Sequence, residues 1–195
     1  MGVSTRELAL ISAFSALWIA AQDTLGPPIG EITGVHGAVQ RFLGWLLMLL
    51  LAELTERFGR VTLMSVVAAL ATRMIRRSAS LYPWVLASGY VLGGLVFDLL
   101  FFISFPWTKE LNGNAKRSYF LLASLISGVF VLRPYLLFQL YTLEGQVFTA
   151  SLPIYAYDLV KGTILSIFGT FIGSSIAPRI KGALHNLSHE VPRLD

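Results

Sequence analysis

Five ionisable residues lie within otherwise apolar stretches of this sequence: Arg41, Asp98, Arg133, Asp158 and Lys161. A charge inside a membrane segment is costly unless it has a partner, so each of these residues is a candidate for ligand binding. The alternative is an ion pair between helices, such as Asp158 with Arg133, which would only hold a bundle together. The predicted topology places four of the five in the outer half of the membrane and Asp98 deeper, towards the cytoplasm.

Further polar and aromatic residues accompany these charges. His36 and Gln40 are four residues apart, as are Tyr135 and Gln139, and residues at this spacing share a helix face. Together the polar residues predict an outward-facing pocket for a ligand with hydrogen-bonding edges and an aromatic ring. The residues assigned to this pocket are Glu31, in the loop after the first helix, with His36, Gln40, Arg41, Tyr90, Arg133, Tyr135, Gln139, Tyr155, Asp158 and Lys161.

Catalytic and metal-binding patterns are missing from the sequence. There is no cysteine, and no spacing of His, Asp and Glu indicates a metal site. The sequence contains no GxxxxGK[ST], HExxH or GxSxG pattern, and nothing places a nucleophile beside a base. We therefore expect a protein that is not an enzyme and that uses no cofactor.

Composition indicates where the chain resides. Of the 195 residues, 55% are hydrophobic and only 13% are charged, whereas soluble domains carry roughly 25% charged residues. This excludes a soluble globular protein and also a disordered chain, because there is abundant apolar surface to bury. The net charge of +4 does not indicate a nucleic-acid partner, because no basic run exceeds a pair. The class that remains is an integral membrane protein.

The apolar segments predict an all-α membrane protein, a bundle of six transmembrane helices. The predicted helices cover residues 5–23, 34–53, 61–74, 82–103, 117–141 and 154–180. Residues 1–180 form a single domain, and residues 181–195 form a polar cytoplasmic tail. An even number of spans puts both termini on one side, which receives Arg6, Arg57, Arg60, Lys109, Lys116, Arg117, Arg179, Lys181 and Arg193. Only Arg73, Arg76 and Arg77 fall on the other side, so the termini are predicted to be cytoplasmic.

Two stripes of small residues indicate close helix packing. Small faces let helices approach closely in lipid, either within the bundle or against another membrane subunit. The first predicted helix is the better candidate for docking, because its stripe has no large polar side chain. The stripes are Ala9, Ala13, Ala16 and Ala20 on the first helix, and Gly162, Ser166, Gly169 and Gly173 on the last.

Several segments resemble the substrate-binding (S) components of energy-coupling factor transporters, the six-helix vitamin-capture subunits of prokaryotic cell membranes. The opening helix, Arg6 followed by ELALISAFSAL, carries the AxxxA element at Ala9 and Ala13. GPPIGEITGVHG resembles the first loop of the family, LYPWVLASGYVLGGLVFDLLFF the fourth helix and YDLVKGTILSIFGTFIG the last. The hydroxymethylpyrimidine/thiamine type is the most similar, through GPPIGE and GYVLGGLVFD.

The resemblance implies a vitamin or precursor bound in the outer half, under the loop between helices one and two. Glu31 would pair with an aminopyrimidine edge, and Trp84 or Tyr90 would stack on the ring. The alanine face would dock on a transmembrane coupling subunit that carries two ATPases. The cluster from Arg73 to Arg77 departs from this pattern. It is also compatible with an anionic substrate, such as a phosphorylated one. The alternatives are a stand-alone small-solute transporter or channel and a membrane enzyme acting on a lipid-linked substrate.

Overall fold

A computed structural model describes residues 2–34, 37–75, 83–108, 113–142 and 145–190 of the chain, and every regular element in these ranges is an α-helix. An all-α protein is therefore confirmed for the described residues. The helices are α1 (Thr5–Thr24), α2 (Gly26–Thr33), α3 (Ala38–Thr55), α4 (Arg60–Ile75), α5 (Pro83–Thr108), α6 (Gly113–Phe130), α7 (Arg133–Thr142) and α8 (Gly145–Glu190).

Four helical stretches in the described ranges are long and apolar enough to cross a membrane: Ala38–Thr55, Trp84–Ser104, Gly113–Thr142 and Leu152–Leu184. The bent pair α1 and α2 makes a fifth if the two count as one span. Helix α4 has 16 residues and is about 24 Å long, short for a hydrocarbon core of about 30 Å. The chain is thus a multi-pass membrane protein with four to five such spans among the described residues.

Helix α3 is the centre of the bundle and packs most extensively against α8. It is apolar on almost every face, which is typical of a helix surrounded by protein. Trp45, Met48, Leu49 and Leu51 on it are fully buried. The sequence prediction started this helix at Gly34, which instead ends α2 in a left-handed conformation with φ 66°.

The segment after α1 is helical, although we predicted a loop there. Helix α2 begins at Gly26 and bends away from α1 by 53°. Pro27 and Pro28 occupy its first turn, where an N–H has no intrahelical acceptor and the fixed φ of proline suits a helix. Glu31 therefore lies on a short helix rather than in a loop.

Prolines act differently in helices α5, α7 and α8. The predicted fifth span is broken at residues 131–132, and Pro134 is the second residue of α7, as expected for a proline that interrupts a helix. Helix α5 was predicted to end before Pro106 but continues through it to Thr108. Helix α8 was predicted to begin after Pro153, yet it includes Pro153 and Pro178. The predicted polar tail is helical as far as Glu190.

Asp98 has a structural role that its burial alone does not indicate. Its carboxylate Oδ2 accepts hydrogen bonds from the backbone N–H of Gly59 at 2.8 Å and of Thr62 at 3.1 Å. The Thr62 hydroxyl donates a third at 2.8 Å. The first N–H groups of a helix lack intrahelical acceptors, so Asp98 of α5 caps α4 across the interface.

Two ion-pair clusters lie at the end of the bundle where α3 terminates. The Glu7 carboxylate contacts Arg57 at 3.2 Å and Arg60 at 3.0 Å, which ties α1 to the start of α4. The Glu53 carboxylate lies 2.7 Å from Lys116 and 2.8 Å from Lys181, which ties α3 to α6 and α8. We call this end, defined by Glu7 and Glu53, the ion-paired end.

Candidate ligand-binding site

Arg41 is buried near the other end of α3, with 3% of the residue exposed. Its Nη1 donates a hydrogen bond to the carbonyl oxygen of Gly128 on α6, 3.3 Å away. A Cβ at Gly162 on α8 would lie 2.5 Å from the Arg41 Cζ, so the guanidinium packs directly on the α8 backbone. Among the described residues no carboxylate forms an ion pair with it. Arg41 is thus a buried cation without a counter-ion in these ranges.

Two more buried donors of the bundle, on α8 and α1, have no acceptor among the described residues. The Thr163 hydroxyl follows Gly162 on α8 and lies 3.5 Å from the position of a Cβ at Gly128. The indole Nε1 of Trp18 on α1 is also buried without a partner. Buried donors usually have acceptors, so these two groups are free to bind a ligand that carries an acceptor. Sequence reasoning missed both, since a Thr or Trp in an apolar helix gives no distinguishing pattern.

Tyr90 on α5 lies beside Trp18. The two rings meet edge to face, with centroids 6.4 Å apart. The Tyr90 hydroxyl sits so close to Gly37 that a Cβ there would be 2.6 Å away. Gly37 also has φ 78°, which favours glycine, so this residue lets the chain enter α3 directly above the tyrosine.

Trp45 continues the aromatic lining one turn beyond Arg41. Its Nε1 donates to the hydroxyl of Ser127 on α6 at 2.7 Å. A Cβ at Gly93 on α5 would lie 3.2 Å from the Trp45 ring, so the tryptophan fills the space between α5 and α6. Trp45 therefore joins α3 to α6 one turn beyond Arg41.

Three predicted site residues form one hydrogen-bonded group. Gln139 donates to the Tyr135 hydroxyl at 2.7 Å, as their four-residue spacing predicts, and its carbonyl oxygen accepts from the Tyr155 hydroxyl. The two tyrosine rings meet edge to face with centroids 5.5 Å apart. This group connects α7 to the beginning of α8 and is half-buried.

The ion pair between Asp158 and Arg133 is not formed. The Arg133 guanidinium is exposed and lies 4.7 Å from the centroid of the Phe130 ring. Lys161 places its Nζ 3.9 Å from the centroid of the Tyr157 ring. Asp158 is half-buried and pairs with no described residue. The alternative of a purely structural pair therefore does not account for these charges.

The remaining predicted site residues differ in position. Gln40 is buried beside Arg41, whereas Glu31 is exposed. Trp84 is 55% exposed near the start of α5, six residues before Tyr90. His36 lies outside the described residues, as do Arg76 and Arg77 of the basic cluster. The structure thus brings Gln40, Arg41 and Tyr90 into the interior and leaves Glu31 and Trp84 on the surface.

Sequence reasoning did not single out the two buried carboxylates of the ion-paired end. Glu7 was recognisable, because Ser4 and Glu7 form a capping box and Ser-x-x-Glu is its signature. Glu53 had no such signature, since its partners Lys116 and Lys181 are distant in sequence.

The two stripes of small residues have opposite environments. The four alanines of α1 all lie on the exposed face of the helix. The stripe of α8 is buried, and Gly169 and Gly173 pack on the α3 backbone at Phe42 and Leu46. The α8 stripe therefore serves packing within the bundle, whereas the α1 stripe has no described helix over it.

The chemistry available at this end is hydrogen bonding, charge compensation and aromatic packing. Within the described ranges, no group of three His, Cys, Asp or Glu side chains could hold a metal ion. Comparison of the chain with protein families, curated proteins and solved structures found no match. The arrangement of the side chains is therefore the basis for a functional assignment.

Proposed function

We propose that this protein is the substrate-capture subunit of an energy-coupling factor transporter and binds a vitamin or vitamin precursor without transforming it. The single observation that supports this best is the buried end of α3. There Arg41 has no counter-ion among the described residues, and Trp18 and Thr163 keep unpartnered donors. The Tyr90 ring lies beside Trp18, and a ring-containing ligand would pack against such aromatic side chains. Hydroxymethylpyrimidine or thiamine is the leading ligand class, from the resemblance of GPPIGE and GYVLGGLVFD.

In this proposal the protein crosses the membrane six times, with α1–α2 and the short α4 completing the set. The ion-paired end faces the cytoplasm, because its arginines and lysines follow the positive-inside rule. The ligand end then faces outwards, where an uptake system meets its substrate. The exposed alanine face of α1 supports docking on a transmembrane coupling subunit with two ATPases.

Native mass spectrometry of the gently purified protein tests the capture function. We expect a retained small molecule of vitamin size, and we expect an ATPase pair to co-purify from the native membrane. Reconstitution into liposomes provides the second arm. Uptake by the purified chain alone would indicate a stand-alone transporter, and turnover of a lipid-linked substrate would indicate an enzyme. Either result contradicts the proposal.

A further inference from the structure

The charge balance of the buried α3 end is incomplete. A guanidinium carries five N–H donors, and Arg41 uses one of its nitrogens to donate to Gly128. An unpaired charge in a dry interior is strongly unfavourable, more so in a membrane protein whose surroundings hold little water. A bundle that keeps such a residue beside Gly162 needs an anion from elsewhere or an internal carboxylate.

Two donors at this end have no acceptor among the described residues, and two acceptors at the end of α1, Gln22 Oε1 and Asp23 Oδ1, are buried without a described donor. Thr163 is 7% exposed, and its hydroxyl has no partner although it lies near Gly128, the same residue that Arg41 contacts. The indole N–H of Trp18 is the second unpartnered donor, and it can only donate. A ligand that satisfies these donors and Arg41 must supply oxygen acceptors and a negative charge.

Two carboxylates near this end are the internal candidates for compensation. Asp158 precedes Gly162 by one helical turn on α8, and Asp23 lies at the end of α1. Neither forms an ion pair with a described residue, and Asp23 Oδ1 is buried without a partner. The described conformation therefore leaves Arg41 without an internal counter-ion among the described residues.

We propose that this end of the bundle binds the anionic group of the ligand, a carboxylate or a phosphate, with Arg41 as its counter-ion and the Thr163 hydroxyl as a second donor. This inference rests on the proposed capture function and narrows its substrate class. A neutral pyrimidine or a cationic thiamine would leave the guanidinium uncompensated, whereas a phosphorylated precursor or a carboxylate vitamin would not. Arg41 can bind either oxyanion through two parallel N–H donors.

Matched probes that differ only in the anionic group test the inference on the full chain in detergent. The pairs are nicotinate with nicotinamide, pantothenate with panthenol, and thiamine monophosphate with thiamine. Charged hydrogen bonds of this kind correspond to about a 10- to 100-fold difference in Kd, so at least one anionic member should bind that much more tightly than its partner. The pair that shows the preference distinguishes carboxylate from phosphate.

Variants assign the preference to Arg41. Arg41→Gln should lower affinity for the anionic member by about 10- to 100-fold and leave its neutral partner unchanged. Arg41→Lys keeps the positive charge, and Thr163→Val keeps the shape of the side chain. Each should retain part of the preference for the anionic probe. Arg179→Gln, an exposed arginine of the same chain, is the matched control and should bind like the wild type. If Arg41→Gln does not fold, Arg41→Lys and Thr163→Val test the inference instead. In each of them, the ratio of the Kd for the neutral probe to the Kd for the anionic probe should be smaller than in the wild type.

Asp158→Asn tests internal compensation: if Asp158 were the counter-ion of Arg41, removal of its charge would strengthen the preference for the anion, whereas we expect the preference to stay unchanged. A stronger preference in this variant, or persistence of the preference in Arg41→Gln, would overturn the inference. Equal binding within all pairs overturns the inference but leaves the capture function standing. A protein that binds none of the six probes overturns the inference, and the native mass spectrometry described above then decides the capture function separately.

Discussion

The Asp98 carboxylate of α5 accepts hydrogen bonds from both the backbone N–H and the hydroxyl of Thr62, at 3.1 Å and 2.8 Å. From the sequence alone, Asp98 is a candidate for ligand binding. In the structure it holds α4 and α5 together. The contact also explains how α4 begins inside a bundle, since the N–H of Gly59 binds the same oxygen at 2.8 Å. Among the described residues, Arg41, Arg133, Asp158 and Lys161 have no comparable set of partners.

We expect Asp98→Ala to destabilise the protein by about 1–2 kcal/mol, because it removes the cap of α4 and leaves two N–H groups without an acceptor. Asp98→Asn keeps one acceptor oxygen and should lose less. Thermal unfolding in detergent micelles measures the difference. Equal stability of Asp98→Ala and the wild type would contradict the capping role.

Gly169→Ala should destabilise the bundle by about 1–3 kcal/mol, the cost of forcing an extra carbon into a packed interface. A Cβ at this position would overlap the carbonyl oxygen of Phe42, so α3 and α8 would have to separate. Gly182→Ala on the same helix is the matched control, because a Cβ there meets nothing within 4 Å. That control should be neutral or more stable by up to about 1 kcal/mol, given the higher helix propensity of alanine. The prediction fails if the two variants unfold at the same temperature.

Glu53→Gln should reduce stability by about 1–2 kcal/mol, because the Glu53 carboxylate is buried while Lys116 and Lys181 remain partly solvated. Glu56→Gln is the control, since Glu56 is exposed and also contacts Lys181 at 2.8 Å. We expect a loss below about 1 kcal/mol from it. Unfolding midpoints in detergent compare the two, and a larger effect of Glu56→Gln would contradict the arrangement.

Ala13→Trp should block assembly with the coupling subunit and leave ligand binding intact, because Ala13 is exposed and the larger ring enters no neighbour within the bundle. Co-purification with the ATPases measures assembly. Val67→Trp, on the exposed face of α4, is the control for a bulky ring that faces lipid. Unchanged co-purification of Ala13→Trp would remove α1 from the docking surface.

Glu31→Gln and Arg133→Ala should each weaken ligand binding by about tenfold, the loss of one charged hydrogen bond. Both residues are exposed, so neither change should alter the unfolding temperature. Titration of the retained ligand against each variant measures the affinity. If both variants bind like the wild type, the ligand does not reach these positions, and Gln40, Arg41 and Tyr90 define the site alone.

Helices whose extent follows the length of an apolar run were predictable from the sequence. Helices whose ends depend on glycine, proline or tertiary contacts were less predictable. The prediction for α4 ended within one residue of the structure at both ends, since its apolar run is bounded by charges. The prediction missed α2 because Gly and Pro together were interpreted as a loop, although proline is well suited to a first turn. It also stopped α8 short of its polar end, where tertiary ion pairs such as Lys181 with Glu53 support the helix.

For the candidate site, the sequence identified charges but not their partners. The spacing of Tyr135 and Gln139 predicted a contact that the structure contains. No spacing could show that Arg133 stacks on Phe130 instead of pairing with Asp158, because that depends on how the break before α7 orients the side chain. The unpartnered hydroxyl of Thr163 could not be predicted either, because its surroundings depend on how α3, α6 and α8 pack together.

The close backbone contact between α3 and α8 has a consequence for affinity. Because Gly169 and Gly173 pack directly against the backbone at Phe42 and Leu46, the register of α3 and α8 is fixed in the absence of a ligand. The Arg41 side chain, held between Gly128 and Gly162, has little rotamer freedom left to lose. Preorganisation of this kind would lower the entropic cost of binding the proposed ligand, so we expect even a small ligand with few contacts to be retained through purification.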